Sequence, residues 1–412
     1  MKVLVLGAGV VGLTTAWALT EAGCDVTIVD RNGQPGGDAS PGNGAQLSYN
    51  FVAPFASPET LRHLPALLLE RDGPTRFRPG LDPAFLRWGL AFLRHCTASA
   101  VRRTTVAQLA LAALSQAEMA RLVATLPLDF GLRQAGKLVL YRGADGFAAA
   151  RRQLQRQTGL GAEQAVLSAR ECLELEPGLR IPAAALSGGV FTASEQVGDC
   201  AAFCQDLAGH LRRRNTVTWR MGAPCTPWVA GGRLRGVRIG GEIIEGETTL
   251  LCLGAGAAAF ARAAGVHLPI VPMKGYSLTL QPRTPVSHSV TDMDRKVVFA
   301  PLPGPLIRVA GIADFVGHDR GLDPARLATI TRAATDALDV DLDAGTRPWA
   351  GLRPVTPDSR PLIGPSALPG LFLNTGHGGL GWTLAAGSAR LAVDLLLGRP
   401  AGVDAAAFAA GR

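Results

Sequence analysis

The amino-acid sequence predicts an α/β fold, and three features support this prediction. The first thirty residues contain a complete strand–helix–strand unit with a glycine-rich turn after its first strand. A mostly helical region at about 55–124 is followed by a series of short β segments. Near the C-terminus, a strand at Leu371 to Leu373 leads through a second glycine-rich turn into a last helix. Strands that alternate with helices in this way are typical of α/β domains.

The N-terminal unit can be assigned in detail. Residues Lys2 to Leu6 are predicted to form a buried strand, and residues from Val11 to about Ala22 a helix that ends at Gly23. A second apolar strand covers Val26 to Val29 and ends at Asp30. This unit is complete within about thirty residues, as a βαβ unit requires.

Composition bounds the class of protein. The chain has 412 residues, 47% of them hydrophobic and 18% charged, so it can bury a sizeable core in two or three domains. The net charge is +8, but most arginines are scattered and only 6% of residues are aromatic, which disfavours nucleic-acid binding. The seven cysteines form no C-x-x-C pair, and the seven histidines form no H-E-x-x-H motif. We therefore expect reduced thiols in a cytoplasmic protein and no metal site.

One basic segment departs from this scatter. Six arginines lie between Arg76 and Arg103, interleaved with apolar residues such as Trp88 and Phe92. The pattern indicates an amphipathic segment, which either lies on a membrane surface or packs its apolar face on a core. No stretch of eighteen uninterrupted apolar residues occurs, so no membrane-spanning helix is predicted.

The motif Gly7-Ala8-Gly9-Val10-Val11-Gly12 predicts a dinucleotide site. Its first glycine permits a tight turn, the second lets a pyrophosphate approach the backbone, and the third lets helix and strand pack closely. Free N–H groups at the helix N-terminus then face the phosphates. Asp30, eighteen residues after the last glycine, can accept hydrogen bonds from ribose hydroxyls and would repel a 2′-phosphate.

Two further segments favour FAD over NAD. Residues 40–47 are small or carry amide groups, so backbone and side chains can reach a flat ring system. In Asn374 to Thr383 a strand meets a helix through four glycines, and N–H groups there can stabilise negative charge on a reduced flavin. A plain surface loop and a turn without a ligand are the alternatives. The candidate cofactor contacts are Gly7, Gly9, Val10, Val11, Gly12, Asp30, Arg31, Asn43, Gly44, Ala45, Gln46, Leu47, Gly254, Gly378, Gly379, Leu380, Gly381, Trp382 and Thr383.

A candidate anion-binding arginine lies in a third segment. Arg353 is followed by Pro354 and Pro357 and is predicted in a rigid turn. A guanidinium there can hold a carboxylate through two parallel hydrogen bonds. An ion pair between Arg353 and Asp358 is the structural alternative.

These stretches resemble one known family. Val5–Gly12, Asn43–Ser48, Pro272–Ser277, Gly351–Asp358 and Asn374–Thr383 keep the order of the FAD-dependent family of D-amino acid oxidase, glycine oxidase, sarcosine oxidase and bacterial D-amino acid dehydrogenase. Within that family, they are most similar to the dehydrogenases. The stretches span nearly the full length of the chain.

The resemblance implies particular roles. Arg353 sits where the family binds the substrate carboxylate, and FAD is expected to be non-covalent because no Cys or His lies in a recognised attachment motif. The candidate catalytic residues are Arg353, Tyr276, His377 and Lys274, and the candidate substrate contacts are Arg353, Tyr276 and Tyr49. The segment around Tyr49 differs from the best-known dehydrogenases and leaves the substrate side chain open.

The implied reaction is oxidative deamination of a D-amino acid, or oxidation of a cyclic imino acid such as D-hydroxyproline, by hydride transfer from Cα to flavin N5. The expected acceptor is a quinone or another compound other than oxygen. The expected location is the cytoplasm, with peripheral contact at the cytoplasmic face of the inner membrane. The rival hypotheses are a glycine- or sarcosine-type oxidase that uses oxygen, an NAD-dependent dehydrogenase, and a flavin-carrying subunit of a larger complex.

The domain organisation follows from the spacing of these segments. Because the three segments expected to contact FAD lie far apart in sequence, we predict a Rossmann-like FAD-binding domain interleaved with an α+β substrate domain. The first is predicted to take residues 1–75, 186–268 and 345–412, and the second 76–185 and 269–344.

Overall fold

The structure is a computed structural model that describes residues 1–62, 73, 75–77, 82–157, 164–342 and 345–412. The described helices are α1 (Val10–Glu21), α2 (Pro83–His95), α3 (Ala98–Thr125), α4 (Ala144–Gln157), α5 (Ala169–Leu175), α6 (Cys200–Arg212), α7 (Ala257–Ala263), α8 (Pro324–Ala337) and α9 (Gly381–Leu396).

The described strands are β1 (Lys2–Leu6), β2 (Asp25–Asp30), β3 (Gln46–Leu47), β4 (Thr75–Phe77), β5 (Lys137–Tyr141), β6 (Ala165–Leu167), β7 (Gly188–Thr192), β8 (Gln196–Val197), β9 (Val217–Met221), β10 (Cys225–Ala230), β11 (Arg233–Ile239), β12 (Glu242–Glu245), β13 (Thr248–Leu251), β14 (Val271–Leu280), β15 (Ser289–Asp292), β16 (Val297–Pro301), β17 (Ile307–Phe315), β18 (Arg347–Val355), β19 (Leu362–Pro365) and β20 (Leu371–Thr375).

A six-stranded sheet in the order β19-β20-β13-β1-β2-β9 contains the N-terminal unit. The strands from β20 to β9 run parallel, and β19 is antiparallel to β20. Val3 and Val5 face an apolar cluster that includes α1, α6 and α9, whereas Leu4 and Leu6 face a second cluster that includes α7. Burial on both faces explains the continuous apolar sequence of β1.

A nine-stranded sheet has the order β18-β14-β17-β16-β15-β5-β7-β6, and β4 pairs with β17. On one face, Tyr276 and Leu278 of β14 pack with Ile330 and Ala334 of α8. On the other face, the Ser277 hydroxyl donates a hydrogen bond to the Gly42 carbonyl oxygen at 2.8 Å. Because successive residues of a strand point to opposite faces, β14 divides this sheet into a core side and a side that faces the loop at residue 42.

A bulge interrupts the pairing of β14 with β17. The register shifts between Lys274 and Tyr276, and Ile312 on β17 has φ 47°. A positive φ is rare for a β-branched residue, and such outliers concentrate at functional sites.

The interleaved domain division stays a prediction, but two strands lie outside their expected neighbourhood. Strands β7 and β18 belong to ranges predicted for the first domain, yet both lie in the nine-stranded sheet, paired with β5 and β14. Helix α3, predicted in the second domain, packs on α9. These pairings depend on contacts between distant parts of the chain, which local sequence patterns do not specify.

The basic segment 76–103 forms part of β4, all of α2 and the start of α3, and its residues 78–81 lie outside the described ones. Trp88 and Phe92 of α2 are buried, as expected for a helix packed on a core, whereas Leu86, Leu90 and Leu93 are 54%, 62% and 40% exposed. In the described part of the chain, no helix combines the length and apolarity needed to cross a bilayer.

Candidate active site

The first glycine-rich turn has the conformation that its sequence predicts. Gly7 has φ 107°, which strongly favours glycine. A Cβ on Gly12 would overlap the carbonyl oxygen of Gly7, so the close approach of turn and helix requires glycine there. A Cβ on Gly9 would meet only the Ser40 hydroxyl oxygen, at 3.7 Å. The space in front of Gly9 is therefore open to a ligand.

The N-terminus of α1 has unsatisfied donors. Gly9 is its N-cap and supplies no side-chain hydrogen bond, and the first turn contains no acidic residue. The Val10 N–H donates to the Ser40 hydroxyl at 3.2 Å. The remaining donors and the helix dipole make this end suitable for an anion such as a phosphate.

Asp30 lies at the end of β2, beside this turn. Its carboxylate accepts hydrogen bonds from the Ala8 N–H and from the Asn32 N–H, both at 2.7 Å. A carboxylate has about four acceptor positions, so ribose hydroxyls can still bind. Arg31, also predicted to contact the cofactor, instead pairs with Asp38 at 2.8 Å on the surface.

The segment 43–47 is a tight turn followed by the short strand β3. The Asn43 side-chain oxygen accepts a hydrogen bond from the Ala45 N–H at 2.9 Å, and Ala45 has φ 54°. β3 pairs with β8 through Gln46 and Leu47. The segment is thus fixed by its own hydrogen bonds and by the chain at 196–197, as an ordered binding turn requires.

Two residues that the sequence did not indicate hold the segment after this turn. Buried Lys137 on β5 donates to the Gln46 side-chain oxygen at 3.1 Å and to the Ser48 hydroxyl at 3.0 Å. Buried Glu195 accepts hydrogen bonds from the Tyr49 and Asn50 N–H groups. Burial lowers the pKa of Lys137 to about 8, although Glu195 opposes this shift. For Lys137 the available sequence signal was a charged residue at the start of an otherwise apolar strand.

The C-terminal glycine-rich turn meets the same segment. A 3₁₀ turn at Gly378–Leu380 leads into α9, whose N-terminus has no side-chain cap and no acidic residue in its first turn. The Thr383 hydroxyl accepts a hydrogen bond from the Ser48 N–H at 3.2 Å. Trp382 donates from its indole nitrogen to the Gly198 carbonyl oxygen at 3.2 Å. The two predicted flavin-contacting segments therefore lie side by side.

His377 immediately precedes this turn and is buried. Burial lowers the pKa of its imidazole to about 3. Its Nε2 atom has no hydrogen-bond partner among the described residues. His377 is therefore neutral at physiological pH, and its buried Nε2 atom is left without a partner among the described residues.

Arg353 lies in β18 rather than in the predicted turn. β18 is an edge strand of the nine-stranded sheet, where the missing N–H of Pro354 can be tolerated. The guanidinium donates from Nη1 to the carbonyl oxygen of Ile312, in the bulge of β17, at 3.1 Å. Gly275 makes room for it, because a Cβ there would overlap the guanidinium.

The alternative ion pair with Asp358 is absent, since Asp358 pairs with Arg360 at 2.9 Å and with Arg412 at 2.7 Å. No described carboxylate pairs with Arg353, and burial lowers its pKa. A Cβ on Gly379 would lie 4.0 Å from Arg353 Cδ. The structure thus brings a guanidinium without an ion-pair partner next to the C-terminal glycine-rich turn.

The side chains of Lys274 and Tyr276 do not lie beside Arg353. They alternate with Gly275 along β14, so their side chains leave the face on which Arg353 lies. The Lys274 ammonium binds Asp319 at 2.8 Å and the Gly321 carbonyl oxygen. The Tyr276 hydroxyl donates to buried Asp314 at 3.1 Å. The sequence could not show which face of the strand meets the ligand.

Tyr49 and Gly254 occupy different surroundings. Tyr49 is 2% exposed and packs in the apolar cluster with Leu47 and Val52, and its hydroxyl has no partner among the described residues. Gly254 begins a 3₁₀ turn after β13 with φ 53°, and a Cβ there would meet nothing within 4 Å. Gly254 therefore lies at the carboxyl end of the parallel sheet, where α/β proteins bind ligands.

Three cations of the site lack a carboxylate partner, and we call them the unpaired cations: Lys137, Arg308 and Arg353. None forms an ion pair within the described residues, and burial lowers the pKa of each. A buried cation is costly unless an anion or several hydrogen bonds compensate it. Together with two uncapped helix N-termini and the open space at Gly9, they fit an anionic dinucleotide and an anionic substrate.

Curated relatives match this chain over nearly its whole length. It is 44% identical over 427 aligned residues to D-amino acid dehydrogenase 2 of Ralstonia nicotianae, covering 100% of both chains. It is also 44% identical to D-amino acid dehydrogenase 2 of Pseudomonas aeruginosa, covering 98% of this chain and 96% of that protein.

Solved structures share the fold at low identity. Glycine oxidase from Geobacillus kaustophilus superposes with a TM-score of 0.76 at 19% identity, covering 100% of this chain and 99% of that one. L-proline dehydrogenase from P. horikoshii also gives 0.76, at 16% identity, covering 99% and 96%. These similarities confirm the predicted fold class.

The sequence model of the FAD dependent oxidoreductase family matches residues 2–395. This match covers most of the chain and includes both glycine-rich turns and Arg353. It confirms the family and the FAD cofactor that the sequence motifs predicted. The chain belongs to the FAD-dependent oxidoreductases.

Proposed function

We propose that this enzyme oxidises the Cα–N bond of a D-amino acid and passes the electrons to an acceptor other than oxygen. The observation that carries the proposal is Arg353, a half-buried guanidinium with no described carboxylate partner beside the glycine-rich turn at Gly379. The relatives named D-amino acid dehydrogenase, at 44% identity over the whole chain, support the substrate class.

Arg353 is proposed to bind the substrate carboxylate. The guanidinium has donors left after its bond to the Ile312 carbonyl oxygen, and a planar fork suits two parallel bonds to a carboxylate. Gly275 has no side chain, so the Arg353 guanidinium can lie directly against β14. Fixing the carboxylate also fixes Cα, and orientation of this kind contributes several kcal/mol to catalysis.

The residues proposed to hold FAD form three groups. Gly9 and the N-terminus of α1 would take the pyrophosphate, Asp30 the ribose, and the segments 43–47 and 378–383 the flavin ring. FAD, when bound, accepts the hydride that leaves Cα. Neutral His377 can donate or accept one hydrogen bond there but cannot supply a charge. No general base is required, because the lone pair of a neutral substrate amine drives the oxidation.

The exposed surface of helix α2 is the feature that supports a membrane-bound electron acceptor such as a quinone. Leu86, Leu90 and Leu93 form an exposed stripe at i, i+4 and i+7, next to exposed Arg87 and Arg94. Exposed apolar residues flanked by cations favour binding to an anionic lipid surface. The buried side of the same helix reaches the site, since Trp88 donates to the Val355 carbonyl oxygen at 3.0 Å. We therefore propose peripheral contact with the cytoplasmic face of the inner membrane.

Two experiments test the proposal. In anaerobic mixing with a panel of D- and L-amino acids, including D-hydroxyproline, D-amino acids should bleach the flavin absorbance. Bleaching only by L-amino acids or by glycine would refute the substrate class. In air, peroxide formation as fast as the reduction of an artificial quinone would refute the proposal that the electron acceptor is a compound other than oxygen.

The membrane contact has a separate test. The protein should co-sediment with vesicles that contain anionic phosphatidylglycerol, and the triple variant Leu86→Ser/Leu90→Ser/Leu93→Ser should not. Val106→Ser, at an exposed apolar residue of α3 outside the stripe, serves as control. Equal sedimentation of all three proteins would refute the contact.

A further inference from the structure

The loop at residues 41–43 presents three successive carbonyl oxygens to the nine-stranded sheet. Arg308 on β17 donates from Nη1 to the Pro41 and Asn43 carbonyl oxygens, both at 2.9 Å. Ser277 on β14 donates to the Gly42 carbonyl oxygen at 2.8 Å. Two side chains of one sheet therefore form hydrogen bonds with all three carbonyl groups of this loop.

This capture sets the direction of the neighbouring N–H groups. In a trans peptide unit, the C=O and the following N–H point in opposite directions. The N–H groups of Gly42, Asn43 and Gly44 are accordingly turned away from the sheet. None of the three donates to an acceptor among the described residues. Successive N–H groups that point to one side can bind an anion.

The position of the loop indicates which anion it meets. Ser40, the residue before it, accepts a hydrogen bond from Val10 in the first turn of α1, and its hydroxyl lies opposite Gly9. The three N–H groups therefore adjoin the helix N-terminus that faces the open space at Gly9. The loop also lies close against the sheet, because a Cβ on Gly42 would overlap the Trp349 ring.

We propose that Arg308 and Ser277 are positioning residues for the pyrophosphate of FAD. They hold the carbonyl groups of residues 41–43 on the sheet and so direct the N–H groups of residues 42–44 at the phosphate oxygens, opposite the N-terminus of α1. The proposal rests on the proposed FAD site and adds two residues from the other sheet to it. It assigns the N–H groups of Asn43 and Gly44 to the pyrophosphate and leaves residues 45–47 of that segment for the flavin ring.

The energetics of Arg308 agree with this role. Its side chain is 7% exposed, forms no ion pair within the described residues, and makes its third hydrogen bond with Thr279 at 3.0 Å. Burying such a charge costs free energy that carbonyl bonds recover only in part. Asp199 acts on Arg308 without forming an ion pair, and a phosphate on the far side of the loop would add a further negative charge.

The test measures cofactor binding rather than turnover. FAD is removed, and the dissociation constants of FAD and of ADP, which carries a diphosphate without the flavin, are measured by fluorescence and calorimetry. The variants are Arg308→Met, Arg308→Lys and Ser277→Ala. Arg347→Met is the control, since Arg347 is an exposed cation of the same sheet that acts on Arg308 only through its charge.

We expect Arg308→Met to raise the dissociation constants of FAD and ADP by similar factors, about ten- to hundredfold, and Ser277→Ala by about three- to tenfold. Arg308→Lys should weaken binding less than Arg308→Met, because an ammonium keeps the charge and can donate to the same carbonyl oxygens but lacks the second nitrogen that binds Thr279. In the double variant Arg308→Met/Ser277→Ala, the increase in each dissociation constant should be smaller than the product of the two single increases, since both residues act on one loop. Arg347→Met should stay near the parent.

Three results would overturn the proposal. Variants that unfold at lower temperature but bind FAD as the parent does would show a structural role only. Weakened FAD binding with unchanged ADP binding would place the N–H groups at the flavin instead of the phosphate. Fully independent effects in the double variant would exclude a shared loop. If Arg308→Met fails to fold, Ser277→Ala and Arg308→Lys still decide whether the two residues position the loop. A parent protein that bound no FAD would instead refute the proposed FAD site.

Discussion

Replacement of Arg353 tests the proposed substrate site most directly. In Arg353→Met the side chain keeps its apolar length, but the pocket loses its donors. Among the described residues, Arg360 and Arg308 cannot replace it, because Arg360 binds Asp358 and Arg308 binds the loop at 41–43. Leaving a substrate carboxylate unpaired in this partly buried site costs about 2–5 kcal/mol, or roughly thirty- to several-thousand-fold in kcat/KM. Arg353→Lys should lower kcat/KM less than Arg353→Met does, since an ammonium retains the positive charge but not the two parallel donors of a guanidinium.

The assay compares a D-amino acid with the matching amine that lacks the carboxylate. Anaerobic stopped-flow measurement of flavin reduction gives the rate for each compound with the parent, Arg353→Met and Arg353→Lys. Arg347→Met, at the exposed start of the same strand, is the control. We expect Arg353→Met to bind FAD normally and to lose the preference for the amino acid. A variant that still prefers it by the parental ratio would show that another residue holds the carboxylate.

Three further predictions concern the surroundings of the site. Gly12→Ala should release FAD during gel filtration and lower the free energy of unfolding by about 1–3 kcal/mol, because its Cβ would overlap the Gly7 carbonyl oxygen. The control Gly33→Ala, where a Cβ would meet nothing within 4 Å, should retain FAD and the parental stability. Tyr276→Phe should change kcat/KM by less than about threefold and lower the free energy of unfolding by about 1 kcal/mol, since its hydroxyl serves Asp314; a hundredfold loss of kcat/KM would place that hydroxyl on the substrate. Burial raises the pKa of Asp358, but Arg412 and Arg360 bring it down to about 2, so its stabilising contribution is complete above the unfolded value of 3.8 and lost as pH falls through about 2. Denaturation at pH 5 and pH 2 should show the parent losing about 2 kcal/mol more than Asp358→Asn, and equal losses would contradict this assignment.

Local patterns predicted those parts of the site that are local in the fold. The Gly7 turn depends on one strand and the helix that follows it, so spacing alone specified its geometry. The same holds for the C-terminal turn at Gly378 and the start of α9. The anion-binding role of Arg353 stays a prediction. Its predicted place in a turn was wrong, because Pro354 indicates a turn as readily as an edge strand.

Features that depend on tertiary contacts were not predicted. Alternation along β14 places Lys274 and Tyr276 on one face and Gly275 on the other, but only the packing of α8 decides which face is the core. Lys137 and Arg308 reach their partners from strands far away in sequence. Their signal was a charged residue inside an apolar strand, which indicates a special contact without naming it.

The unpaired cations have a consequence for the lifetime of the protein. A flavin-free chain holds these three cations wholly or partly out of water with no ion pair among the described residues, whereas the unfolded chain exposes them to water. Any ligand that binds only the folded state stabilises it by RT ln(1 + [L]/Kd), about 2.7 kcal/mol at a hundredfold excess over Kd. The melting temperature should therefore rise with free FAD. Cellular flavin supply would then govern how much of this enzyme escapes proteolysis as well as how much is active.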